Sequence, residues 1–203
     1  MNHPPFVLLY DYRCPFARNV HEHVLAARAS GLELDVTFEP FTLSQGHIAE
    51  GAPAVWDDPR HDGSMLSLEV SVAVRDAHPD SFDALHTVLF DARHERGISL
   101  TTREQIAELL VEVDLDPGEI FALVDSRGPR RLIADAWTHF HDDLGVFGVP
   151  TFVVDDRDAT FVRLMTGPDR QDPGASMAVV ERLLHLVIFQ TEINEVKHTR
   201  LES

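Results

Sequence analysis

The first forty residues show three patterns of hydrophobic and polar positions, one after another. A short apolar run over residues 6–10 is typical of a buried β-strand. Apolar residues then recur every three or four positions from Phe16 to Ala27, which predicts an amphipathic helix that ends at Gly31. Residues 32–38 alternate strictly between apolar and polar side chains, which indicates a second strand. This order predicts a right-handed crossover between two parallel strands.

A long central block shows only the helical repeat. Residues 40–60 have weak patterns and several glycines and prolines, so we predict a loop there. The third helix of the block is predicted to begin with a capping box in which Thr101 pairs with Glu104. Five helices are expected in all, over residues 65–77, 81–96, 101–113, 117–124 and 131–144.

The last part of the chain returns to strands and closes on a helix. Apolar and β-branched residues fill positions 149–154, and a second run at 160–165 is close enough to form a hairpin with them. Helical spacing resumes over residues 175–189. The order predicts an α/β fold of thioredoxin-like type, with a β-α-β unit, an all-helical insertion and a β-β-α unit. We assign residues 1–42 and 129–203 to the thioredoxin-like domain and residues 43–128 to the insertion.

Charge and hydropathy exclude several classes of partner. The chain has 34 acidic and 17 basic residues, and its formal net charge of −17 repels phosphate backbones, so we expect no nucleic-acid binding. Its apolar runs are too short to span a bilayer, and we expect no membrane association. The first residues lack the basic region of a secretory signal, so we expect a cytoplasmic protein.

The twelve histidines do not form a recognisable metal motif. His21 and His23 are two positions apart, as are His139 and His141, and this spacing places helical residues on different faces. Glycine-rich nucleotide motifs are absent as well. We therefore expect no metal site and no tightly bound cofactor. His94, at the predicted end of a helix, could approach the active site from the insertion, but we interpret it as a surface histidine that the helix dipole favours.

Cys14 is the only cysteine of the chain, so no intramolecular disulfide can form. It directly precedes Pro15, which suits the first position of a helix because its missing N–H costs nothing there. A thiol at a helix N-terminus meets free backbone N–H groups and the positive end of the helix dipole. Both stabilise a thiolate, and Arg13 adds positive charge nearby. The sequence therefore favours a reactive nucleophile over a buried, inert thiol.

Two segments resemble the DsbA-like family of the thioredoxin superfamily. They are residues 11–17, which read Asp-Tyr-Arg-Cys-Pro-Phe-Ala, and residues 148–151, which read Gly-Val-Pro-Thr. The resemblance implies that the peptide bond before Pro150 is cis, that this loop lies beside Cys14, and that the Val149 backbone is free to pair with an extended substrate. Phe16 suits either a substrate surface or the core. We assign thiol or substrate binding to six residues around the nucleophile: Arg13, Pro15, Phe16, Val149, Pro150 and Thr151.

One position departs from the pattern of this family. Its redox motif is Cys-x-x-Cys, and Ala17 stands where the second cysteine would be. An internal disulfide cycle is therefore unavailable, and we expect a monothiol cycle. Cys14 would attack a disulfide or an electrophile, and a second thiol from solution would release the adduct.

The identity of that second thiol follows from a closer similarity. The overall layout and the segment Lys197-His198-Thr199-Arg200 resemble an actinobacterial branch that includes mycothiol-dependent reductases. This similarity implies mycothiol as the co-substrate, with glutathione or a partner dithiol protein as alternatives.

Two other functions stay open. The layout is also similar to kappa-class glutathione transferases and chromene-carboxylate isomerases, which activate a bound thiol and commonly have a serine at the position of Cys14. The third alternative is a non-catalytic binding module that uses the surface around Pro150. Each of the three is compatible with a homodimer.

Overall fold

The computed structural model describes residues 3–169, 171–172 and 174–197. Residues 198–200, which carry part of the closer resemblance, lie outside this part of the chain. One sheet contains the strands β1 (Phe6–Tyr10), β2 (Val36–Pro40), β3 (Thr151–Val154) and β4 (Asp158–Phe161), in the order β2-β1-β3-β4. Strand β1 is parallel to β2 and antiparallel to β3, and β3 and β4 form an antiparallel hairpin.

The described residues form seven α-helices, five of which lie between β2 and β3. This confirms the predicted thioredoxin-like α/β fold with an all-helical block between its β-α-β and β-β-α units. The division at residues 43 and 128 stays a prediction. The helices are α1 (Pro15–Ala29), α2 (Asp62–Ala77), α3 (Pro79–His94), α4 (Arg103–Glu112), α5 (Pro117–Asp125), α6 (Gly128–Thr138) and α7 (Ala175–Phe189).

Strand boundaries differ from the predicted ones because pairing sets them. Strand β2 begins at Val36 rather than at residue 32, because Val36 lies opposite Phe6, the first residue of β1. Strand β3 begins at residue 151 rather than 149. Strand β4 ends at Phe161 rather than at residue 165, because it pairs only along the four residues of β3.

The predicted capping box is wrong by one residue. Thr102, not Thr101, caps α4, and its side chain accepts a hydrogen bond from the Gln105 N–H at 3.4 Å. The Gln105 side chain in turn accepts the Thr101 N–H at 3.1 Å. Two adjacent threonines carry the same hydroxyl, so the pattern alone does not distinguish their registers.

The last helix of the central block is also different from the prediction. Helix α6 begins at Gly128 instead of residue 131 and ends at Thr138, and residues His139–Asp143 continue as a π-helical turn. The buried guanidinium of Arg130 fixes α6 to α2 through an ion pair with the buried carboxylate of Glu69. None of the described helices combines the length and the apolarity needed to cross a membrane.

A chain of buried hydrogen bonds links the end of β1 to α1 and α3. The Nε2 of His21 lies 3.3 Å from the Leu9 carbonyl oxygen, which can only accept, so Nε2 donates. Nδ1 of His21 is then an acceptor and receives the Nε2–H of His86 at 2.9 Å. Nδ1 of His86 receives the Tyr12 hydroxyl at 2.8 Å. The Tyr12 hydroxyl and all four ring nitrogens of His21 and His86 therefore have hydrogen-bond partners.

Burial keeps His21 and His86 neutral. It lowers the pKa of His21 to about 3 and that of His86 well below its ordinary value, where the neighbouring His21 adds to the effect. Both rings and the Tyr12 side chain are fully buried. We call Tyr12, His86 and His21 the buried relay.

Candidate active site

Cys14 is the N-cap of α1 and is 7% exposed. Its N–H donates to the Asp11 carbonyl at 3.0 Å, which closes the turn that follows β1. The Ala17 N–H donates to Sγ at 3.4 Å. Pro15 occupies the first helical turn, as predicted, and is exposed beside the sulfur. The only thiol of the chain thus lies at a helix N-terminus with one backbone donor directed at it.

The loop before β3 lies against this thiol. The peptide bond between Val149 and Pro150 is cis, and the Cys14 thiol donates to the Val149 carbonyl oxygen at 3.3 Å. The Val149 carbonyl, which we expected to be free for a substrate, is therefore occupied by the thiol in this state. The Thr151 hydroxyl donates to the Gly148 carbonyl at 2.7 Å and holds the loop closed.

The balance of effects on the Cys14 thiol is opposite to the expected one. Burial raises the pKa of Cys14, and this effect exceeds the opposing effects of the Ala17 and Phe16 N–H groups. Among the charged side chains, Asp11 raises the pKa further and Arg163 lowers it. The resting cysteine is therefore a protonated thiol, in agreement with its hydrogen bond to a carbonyl oxygen.

Arg13 contacts Asp11 rather than the thiol. Its Nε and Nη2 lie 3.0 and 2.5 Å from the Asp11 carboxylate, and Nη1 donates to the Ser44 hydroxyl at 2.6 Å. The same carboxylate accepts the Leu43 N–H at 2.8 Å. We expected the positive charge of Arg13 to stabilise the thiolate. Arg13 instead links the turn before Cys14 to the segment after β2.

An aromatic surface borders the thiol and the loop. The ring of Phe147, which is 77% exposed, lies 5.2 Å from the ring of Phe161. The Arg163 guanidinium carbon lies 4.5 Å from the Phe16 ring centre and 5.6 Å from that of Phe161. Phe16 is partly buried, and its role in substrate binding stays a prediction. We call Phe16, Phe147 and Phe161 the aromatic rim.

Sequence reasoning missed Arg163, although one signal could have found it. The predicted hairpin between residues 149–154 and 160–165 already placed residue 163 near the start of the first strand. In the structure the Val162 N–H donates to the Pro150 carbonyl at 3.1 Å, so Arg163 follows the last bond between the two segments. Among the groups that shift the pKa of Cys14, Arg163 is the one basic side chain.

His94 contacts the active-site turn, and its interpretation as a surface histidine is wrong. Its Nε2 donates to the Tyr12 carbonyl oxygen at 2.9 Å, two residues before Cys14. The ring is partly buried, and burial lowers its pKa. The end of α3 is thereby attached to the turn that carries the nucleophile.

The histidine pairs considered for metal binding have separate partners. His21 belongs to the buried relay, whereas His23 is 3.0 Å from the Ser176 hydroxyl. His139 lies between Asp143 and Asp156 at 3.0 and 2.8 Å. Within residues 3–197, apart from positions 170 and 173, no group of three or more His, Cys, Asp or Glu is placed to hold a metal ion.

The chain is similar to a known family along most of its length. A family model described as the DSBA-like thioredoxin domain matches residues 7–176. No curated protein matches the sequence significantly.

Solved structures with a similar fold include three bacterial proteins, each at most 20% identical to the chain. The cytosolic disulfide reductase DsbM from Pseudomonas aeruginosa, solved with GSH, is 19% identical with a TM-score of 0.58, covering 90% of this chain and 100% of that one. The oxidoreductase NmDsbA1 from Neisseria meningitidis is 20% identical with a TM-score of 0.57, covering 93% and 86%. The oxidoreductase DsbA from Xylella fastidiosa is 19% identical with a TM-score of 0.55, covering 90% and 89%. At these identities the comparison establishes a shared fold.

Proposed function

The chain belongs to the DsbA-like thioredoxin domain family, and on that premise we propose that it is a thiol–disulfide oxidoreductase that acts through Cys14 alone. The observation that carries the proposal is the hydrogen bond between the Cys14 thiol and the Val149 carbonyl, which places the only thiol at the Pro150 loop. Ala17, whose N–H faces the sulfur, has no thiol with which to form an internal disulfide.

The reaction is a pair of thiol–disulfide exchanges. The Cys14 thiolate attacks one sulfur of a substrate disulfide, so a new S–S bond forms to Cys14 and the other substrate sulfur leaves as a thiolate that takes up a proton. An external thiolate then attacks the substrate sulfur in this mixed disulfide. That step releases a disulfide of the external thiol with the bound half and regenerates the Cys14 thiolate. The substrate sulfur that leaves first is reduced, and the external thiol is oxidised.

Substrate binding supplies the activation that the resting site lacks. An extended substrate that pairs with the Val149 backbone competes for the carbonyl oxygen that now accepts the Cys14 thiol hydrogen. Once that bond is lost, the Ala17 N–H and the positive end of the α1 dipole remain to stabilise the thiolate. The thiol proton leaves to solvent through the small exposed part of the side chain.

The co-substrate is a low-molecular-weight thiol, mycothiol or glutathione, with a partner dithiol protein as the alternative, and the substrate is a disulfide or an electrophile. The sequence resemblance supports mycothiol, while the GSH in the P. aeruginosa DsbM structure supports a glutathione-type ligand for this fold. Cytoplasmic location and a homodimer belong to this proposal as well.

A kappa-class-like transferase or isomerase is the second candidate, and one observation favours it. Burial raises the pKa of Cys14, so the thiol is a hydrogen-bond donor at neutral pH. A donor at this position could stabilise the thiolate of a bound small thiol, as a serine hydroxyl would, without a covalent step.

The distinguishing experiment follows adducts on the full chain by intact mass. Wild type is incubated with glutathione disulfide and with mycothiol disulfide, and Cys14→Ser is treated in parallel. We expect one mixed disulfide per chain, released by excess thiol and absent from Cys14→Ser. A wild type that forms no adduct, together with a Cys14→Ser variant that keeps thiol-transfer turnover, would contradict the redox function and support the transferase.

A further inference from the structure

Arg163 places a positive charge near Cys14 in a chain whose net charge is −17. Arg163 is exposed, and within the described part of the chain its guanidinium contacts two aromatic rings and no carboxylate at ion-pair distance. The other arginines near the start of α1 are both engaged. Arg13 pairs with Asp11. Arg18 pairs with Glu22 at 2.7 Å and with Glu95, which directly follows α3, at 2.6 Å.

The backbone fixes this charge on the substrate side of the thiol. The Val162 N–H bonds to the Pro150 carbonyl at 3.1 Å, so the next residue, Arg163, starts from the same loop that receives the Cys14 thiol. Its guanidinium lies over the ring of Phe16, which is two residues after Cys14. Burial raises the pKa of Cys14 and the Arg163 charge opposes that rise, in agreement with a guanidinium that lies over the Phe16 ring.

The chemistry of this position suits an anion. A guanidinium that lies over aromatic rings keeps the N–H groups at its edge available, and these match a carboxylate in bidentate geometry. The net charge of −17 disfavours anions at the surface as a whole, so an exposed guanidinium near the sulfur is a local exception. A carboxylate on the reacting molecule is the group that this exception would attract.

We propose that Arg163 is a specificity-determining residue that binds a carboxylate of the thiol or disulfide that reacts with Cys14. This inference rests on the proposed oxidoreductase function and narrows its substrate class. Glutathione carries carboxylates and mycothiol carries none, so a glutathione-type thiol fits the Arg163 position and mycothiol does not.

The test compares three disulfides of similar size that differ in terminal charge: 3,3′-dithiodipropionate, bis(2-hydroxyethyl) disulfide and cystamine. The rate of mixed-disulfide formation at Cys14 is measured by intact mass for wild type and Arg163→Gln. Arg157→Gln is the matched control, because Arg157 is also exposed and lies in the turn at the other end of the β3–β4 hairpin. The ratio between two disulfides cancels any change in the reactivity of Cys14 itself.

We expect wild type and Arg157→Gln to react about tenfold faster with the anionic than with the neutral disulfide at low salt. Arg163→Gln should lower that ratio to one or below, because the net charge of −17 disfavours the anionic disulfide. A wild-type ratio near one, or a ratio that Arg163→Gln leaves unchanged, would overturn the carboxylate inference and leave the redox function intact. If none of the three disulfides forms an adduct with wild type, the oxidoreductase function fails first and the inference fails with it.

Discussion

The Cys14 thiol donates a hydrogen bond to the Val149 carbonyl oxygen 3.3 Å away, across 135 positions of the chain. This bond joins the N-terminus of α1 to the Pro150 loop and uses the thiol hydrogen to do so. The resting site is therefore assembled around a protonated cysteine, and ionisation has to break a contact that the fold has formed.

The acidity of Cys14 gives the most direct prediction. Because burial raises its pKa, the thiolate fraction at neutral pH should be smaller than that of an unperturbed cysteine. The alkylation rate of the free protein, measured with iodoacetamide, should rise with pH through a midpoint above about 8.5. Ala17→Pro, which removes the N–H directed at Sγ, should move the midpoint higher still. A midpoint below about 8 would contradict the burial argument.

Ala17→Cys should restore an internal dithiol. Ala17 is fully buried three residues after Cys14, and its N–H already contacts Sγ. Mild oxidation should join the two cysteines, which intact mass detects as the loss of both thiol hydrogens. Ala27→Cys is the matched control, since Ala27 is equally buried on α1 but lies about 15 Å further along the helix, well beyond disulfide reach. Two free thiols in oxidised Ala17→Cys would show that the site cannot hold the dithiol geometry.

The buried relay should behave as a coupled unit in unfolding experiments. Tyr12→Phe leaves Nδ1 of His86 without its donor, at a cost of roughly 1–3 kcal/mol in the free energy of unfolding. His86→Leu removes the partner of both the Tyr12 hydroxyl and Nδ1 of His21 and should cost more. The double variant should cost less than the sum, because the Tyr12→Phe change also removes the hydroxyl that His86→Leu alone would orphan. Urea titrations measure all three, with the exposed His185→Leu as the control; additive losses would refute the coupling.

Stability should fall on mild acidification because of the same histidines. The pKa of His21 is lowered from 6.5 to about 3 and that of His86 well below 6.5. Below pH 6.5 the unfolded chain binds protons that the folded chain excludes, so the free energy of unfolding decreases from there towards about pH 3. Above 6.5 both states are neutral and the effect vanishes.

The change in the free energy of unfolding per pH unit has an upper limit. Each buried histidine contributes at most about 1.4 kcal/mol per pH unit. His86→Leu should therefore have a shallower pH dependence than wild type, and the exposed His185→Gln should have the same dependence as wild type. Identical slopes for wild type and His86→Leu between about pH 6 and pH 4.5 would show that His86 does not contribute.

Periodicity predicted the elements better than their ends. The apolar spacing of α7 gave its bounds correctly, because that helix packs one clear face on α1. Strand β2 was predicted too early, since alternation continues before Val36 whereas pairing with β1 starts there. His21 and His23 are buried although they lie outside the predicted apolar stripe of α1, because α1 packs against α3 and α7 as well as β1.

The active site depended on contacts that local pattern does not encode. Cys14 was evident as the lone cysteine before a helix, and the resemblance to the DsbA-like family placed the Pro150 loop beside it. The effect of burial on its pKa required the packed core around it. The commitment of Arg13 to Asp11 and the bond from His94 to Tyr12 each depend on side-chain directions that spacing alone does not define.

The order of strands in the sheet also bears on how the protein is made. Strand β1 is central, but of its two neighbours only β2 follows soon after it, while β3 starts at residue 151. On the ribosome, β1 and β2 emerge together with α1, and the five helices between β2 and β3 follow before the second edge of β1 can be covered. Until β3 emerges, the nascent chain therefore exposes an unpaired, apolar strand edge, which is the kind of surface that chaperones protect and that other chains can join.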